Sequence, residues 1–126
     1  MTTETKIRAL LAIAYSDSFF DISELEYINN KAKELGLKNE DLIEIIKKPV
    51  GSDFNYPITE EEKFHFVFDL MELIHVDGVV DESEIKIFHT YLNKLGFSSE
   101  YHEEIHAMIE SAVVKKQNFE EFYKNI

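Results

Sequence analysis

The chain is written twice. Shifted by 60 residues against itself, the stretch YSDSFFDISELEYINNKAKELGL from Tyr15 falls on HVDGVVDESEIKIFHTYLNKLGF from His75. Identical residues meet at Asp17 and Asp77, Asp21 and Asp81, Ser23 and Ser83, Glu24 and Glu84, Leu35 and Leu95, and Gly36 and Gly96. Upstream, Ile7, Leu10, Leu11, Ile13 and Ala14 fall on Val67, Leu70, Met71, Leu73 and Ile74. A repeat of this kind constrains the fold more than any composition does, because whatever one half becomes the other must become too.

Each half reads as three helices. The first, about Thr3 to Ser16, and its counterpart, about Glu60 to Val76, are apolar on most faces, which suits the centre of a bundle. The counterpart opens on Thr59 with Glu62 three residues on, a capping box. The second helices start after Asp21 and Asp81 and stop at Gly36 and Gly96, glycine being the residue that most readily closes a helix with a positive φ. Their apolar stripes are Leu25, Ile28, Ala32 and Leu35, and Ile85, Phe88, Leu92 and Leu95, spaced to face one side. Third helices, capped near Asn39 and Ser99, run to about Lys48 and Val114. A short helix after Asn118 presents Phe119, Phe122, Tyr123 and Ile126 as a lid. The expected fold is therefore all-α: a bundle of about seven helices, two pseudo-symmetric three-helix halves (3–48 and 59–114) plus a C-terminal helix. Pro49, Gly51 and Pro57 fall in or at the edge of the linker 49–58. Neither half can bury its apolar first helix alone, so residues 1–126 are expected to form one domain.

Charge and residue usage narrow the function. With 25 acidic against 13 basic side chains, the net charge of −12 repels phosphate backbones and anionic bilayers, so nucleic acid and membrane surfaces are not expected partners. No cysteine is present, which removes disulfides, thiolate metal sites and thiol nucleophiles and fits a cytoplasmic location. Lys6 and Arg8 ahead of the run Ala9 to Tyr15 imitate a secretory signal, but Glu4 and the recurrence of the pattern in mid-chain argue against one. No stretch approaches the roughly 20 apolar residues of a membrane span.

Six repeated acids carry the candidate site: Asp17, Asp21, Glu24, Asp77, Asp81 and Glu84. Oxygen ligands on two equivalent loops suit a hard divalent cation such as calcium or magnesium. Asp21 and Asp81 are equally well placed as N-caps, with Glu24 and Glu84 as capping-box partners, whereas Asp17 and Asp77 have no such duty. The loops are not EF-hands, since Val79 and Glu82 stand where a third ligand and a glycine belong. Two functions follow: a cation-binding or sensing module, or a metal-free scaffold that docks a protein partner. Neither is an enzyme.

His102-Glu103-Glu104-Ile105-His106 matches the zinc-hydrolase pattern in which two histidines one turn apart bind metal. Ile109 stands where the longer metzincin pattern has glycine, and the repeat lays His102 and His106 over Leu42 and Ile46. That face is apolar in the first half, so packed or half-buried histidines are expected there and zinc hydrolysis is the remote alternative.

An apolar helix running into Asp77-Gly78, Asp81 and Glu84, then an amphipathic helix ending Leu95-Gly96-Phe97, resembles the TerB family of tellurite-resistance-associated proteins over nearly the whole chain. The resemblance implies a seven-helix bundle, divalent metal at the acidic positions, a link to stress responses and relatives fused to co-chaperones. The first loop departs from it at Ser18, where the second has Gly78.

Overall fold

A computed structural model describes residues 2–16, 21–47 and 56–126. Among these residues there are seven α-helices and no strand, in the order α1 (Thr2–Ala14), α2 (Ile22–Glu34), α3 (Asn39–Lys47), α4 (Glu60–His75), α5 (Glu82–Lys94), α6 (His102–Val114) and α7 (Phe119–Lys124). A single 3₁₀ turn, Ser99–Tyr101, precedes α6. No described helix is long and apolar enough to cross a membrane.

The two repeated first helices, α1 and α4, pack against each other and hold the centre. Along α4, Phe66, Val67, Phe68, Leu70, Met71, Leu73 and Ile74 are all buried, which is possible only if other helices cover every side. Burial of each large apolar side chain contributes about 1.5–3 kcal/mol, so this pair of helices supplies much of the stabilisation. One apolar cluster runs through both halves, from Ile7 and Leu10 to Phe88, Ile109 and Phe122.

Helix ends follow the expected chemistry at most positions. Gly36 and Gly96 take φ of 78° and 90°, and Leu37 N–H and Phe97 N–H donate back to Ala32 and Leu92 carbonyls, closing α2 and α5 alike. α6 closes the same way, but with Lys116 at φ 62°, a conformation no sequence rule assigns to lysine. Its start also differs from expectation: Ser99 is taken into the 3₁₀ turn, and α6 begins only at His102, with Tyr101 before it making no side-chain cap. In α2, Ile28 and Ala32 are buried as expected, but Leu25 and Leu35 are exposed. The buried stripe of α2 is turned toward Glu24, Ile28 and Ala32 because Tyr27 and Lys31 are drawn into polar contacts with α4.

α7 is capped by a reciprocal box between Asn118 and Glu121 and lays Phe122 against Phe64 and Phe68. It is the lid expected after Asn118, except that Ile126 remains exposed. The linker residues 49–55 and Lys48 lie outside the described residues.

Candidate functional site

Each second helix begins with the same device. Asp21 Oδ1 accepts from Ser23 N–H at 3.1 Å while Asp21 N–H donates to Glu24 Oε1 at 3.1 Å. Asp81 Oδ1 accepts from Ser83 N–H at 2.8 Å, and Asp81 N–H donates to Glu84 Oε1 at 3.1 Å. Glu24 and Glu84 are buried in these boxes. Ser83 Oγ–H adds a 2.6 Å bond to Asp81, and the side-chain and backbone donors of Ser83 hold that carboxyl below its ordinary range. Four of the six candidate acids therefore satisfy helix N-termini. Asp77 is exposed and accepts from Val79 N–H at 2.9 Å, shaping its own turn, with Gly78 at φ 79° beside it. Asp17 lies outside the described residues, as does Ser18.

These devices share one end of the bundle. Ser16, just past α1, places its Oγ 3.2 Å from Ser83 Oγ in the first turn of α5. Tyr27 O–H donates to Glu72 at 2.7 Å, and Lys31, one turn further along α2, meets Asp69, about one turn earlier on α4, at 3.4 Å. Contacts that run in opposite order make α2 antiparallel to α4, so the start of α2 stands beside the end of α4. The end of α1, the start of α2, the end of α4 and the start of α5 thus gather together.

That end is not simply acidic. Ile22 is 73% exposed, Val79 67%, Tyr15 42%, Leu25 42%, Val80 42% and Val76 38%. Asp21, Glu26, Asp77, Asp81 and Glu82 are interleaved with them in the sequence. Other exposed apolar side chains, Ile58 and Val114 among them, lie elsewhere; what sets these six apart is that they share one end with the capping acids. The repeated acids drew attention to this end, but the apolar residues were not singled out. The available signal was the pair Val79-Val80 inside an otherwise polar capping loop.

A second polar constellation lies deeper. Asp69, 1% exposed in the middle of apolar α4, receives Lys6 Nζ of α1 at 2.7 Å and Lys31 Nζ of α2 at 3.4 Å, with His65 Nε2 at 3.7 Å. Burial pulls the Lys31 ammonium down, but Asp69 and Glu34 together hold it above its ordinary value. Burial raises Glu72, against the hydrogen bond from Tyr27, and the Tyr27 hydroxyl is driven far up by burial and then by Asp69 and Glu72. A cleft of about 440 Å³ beside these groups is lined by Tyr27, Lys31, His65, Glu72 and Phe119 among others. Asp69 holds Lys6 and Lys31, and Glu72 holds Tyr27, so the constellation ties α1, α2 and α4 together.

The histidines of the zinc-hydrolase pattern are half-buried. His102 Nε2 is 2.9 Å from Phe97 O, and His106 Nδ1 is 2.8 Å from His89 Nε2 of α5. His75 Nε2 is 3.1 Å from Glu110 Oε2 instead of joining Asp77, and His65 stacks on Phe119 with ring centroids 4.1 Å apart. Among the described residues, no three His, Asp or Glu side chains are gathered as a metal site.

Fold and site together define an all-α bundle of seven helices with an apolar, acid-flanked end. No family model matches the chain, and no curated protein or solved structure matches it either.

Proposed function

We propose that the chain is a non-catalytic docking module that receives a basic, amphipathic segment of a partner protein at the end where α1, α2, α4 and α5 meet. The observation that carries this reading is the exposure of Ile22, Val76, Val79 and Val80 at the same end as the capping acids. Apolar area supplies affinity, and the surrounding carboxylates together with the net charge of −12 select a cationic partner and speed its approach. A fluorescent helical peptide of Leu and Lys should bind at low salt, and a Leu and Glu peptide should not. Replacing Ile22, Val79 and Val80 by Ser leaves the charge unaltered and should weaken binding at least about tenfold, the loss of 1.4 kcal/mol or more. Equal binding by that variant would reduce the effect to bulk charge and remove the docking site.

A second reading, a divalent cation at the acidic loops as the TerB resemblance implies, is favoured by the placement of exposed Asp77 at the same end as both capping boxes. A cation at a hundredfold excess over its dissociation constant should add about 2.7 kcal/mol of stability. Asp77→Asn should remove that gain while leaving the boxes formed. Calorimetry with millimolar calcium, magnesium and manganese that gives no heat and no thermal shift would leave the docking reading alone.

A further inference from the structure

We propose that His89 and His106 form a proton-operated latch between α5 and α6, shut while at least one ring is neutral and released when both are protonated. His89 Nε2 and His106 Nδ1 are 2.8 Å apart, so one ring donates N–H and the other accepts with a bare nitrogen. The pair keeps this bond with one added proton, carried by the donor ring. A second proton occupies the accepting nitrogen, abolishes the bond and sets two cations face to face in a half-buried site.

The neighbours act in both directions, the histidines against double protonation and the carboxylates for it. From α6, His102 stands with its ring centroid 6.1 Å from that of His89, and its Nε2 is committed to the Phe97 carbonyl. Glu103 is the opposing charge near His89, and Glu110 lies 3.7 Å from His106 Nε2, itself bound on its other oxygen by His75 of α4. Burial first, then His106 and His102 against Glu103, lower the His89 pKa from its ordinary 6.5. The sign follows: a base depressed in the fold is neutral there while the unfolded chain takes up protons. Its contribution to stability is complete above 6.5 and is lost as pH falls below 6.5 toward the folded value. The two nitrogens are bonded to each other at 2.8 Å, an arrangement that holds a shared proton between them.

Imidazole resonances of the wild-type chain followed by NMR across the acidic range test this directly. The pair should titrate in two steps at least about one pH unit apart, the mark of strongly coupled sites. Past the second step, hydrogen exchange of α5 and α6 amides, corrected for the intrinsic rate, should accelerate about tenfold or more, while α3 keeps its protection; a shift of one pH unit in a group's pKa corresponds to that factor. Replacing both residues by Gln, which keeps a hydrogen bond but cannot charge, should abolish the acceleration. Two independent titrations in the wild-type chain, or the same opening in the Gln variant, would overturn the latch.

Discussion

Asp69 shows what a single side chain decides in this molecule. It is a carboxylate at the centre of an apolar helix, and unpaired burial would cost several kcal/mol, so Lys6 at 2.7 Å and Lys31 at 3.4 Å must come with it. Asp69→Ala leaves Lys6 buried without a counter-charge and should destabilise by about 3–5 kcal/mol in chemical denaturation. Lys6→Met combined with Asp69→Leu should lose much less, because Lys6 leaves with its partner and Lys31 keeps Glu34 at 3.1 Å; an equal loss would show that the ion pair is not what holds this site. Both residues are visible in the sequence as charges inside apolar helices. Their partnership is not, because 63 positions separate them and only the packing of α1 on α4 brings them together. The caps were legible for the opposite reason: Asp21 with Glu24 and Asp81 with Glu84 act across three residues, within reach of local rules.

Whole helices follow from the same contrast between local and distant causes. Paired glycines at 36 and 96 and the N-terminal aspartates mark α2 and α5 in the sequence and in the fold. The start of α6 was illegible because Ser99, the cap expected from its type, falls inside the 3₁₀ turn, and its end because Lys116 takes a positive φ that only context imposes. The stripe of α2 was misjudged at Leu25 and Leu35 because Tyr27 and Lys31 rotate that helix toward α4. Repeat symmetry also has a local defect. Val76 stands where the first half has Ser16, and Ser23 Oγ, the equivalent of Ser83 Oγ, is buried with no hydrogen-bond partner among the described residues. Capping is testable at this scale: Asp21→Ala should cost about 0.5–2 kcal/mol, and Asp21→Asn should keep most of the stability because Asn caps equally well. Identical melting of all three chains would deny the box any energetic role.

At the scale of the molecule, the repeat predicted two halves but not how they face one another. That relation rests on contacts such as Ser16 with Ser83 and Lys6 with Asp69, which no periodicity encodes. It also brings the capping acids of both halves and the exposed apolar residues 15, 22, 76, 79 and 80 to one end, the arrangement on which the docking proposal rests. The sequence exposed the acids and their two uses; the apolar component emerged only once the exposure of each large side chain was known. Docking at this end is the account's central claim, and chemical-shift mapping with the Leu and Lys peptide tests it most directly. The account predicts that the perturbed amides concentrate in the first turns of α2 and α5, the last turn of α4 and residues 76–81, with the far ends of α3 and α6 unmoved. Perturbations spread evenly over the acidic surface, or centred on α6 and α7, would contradict it.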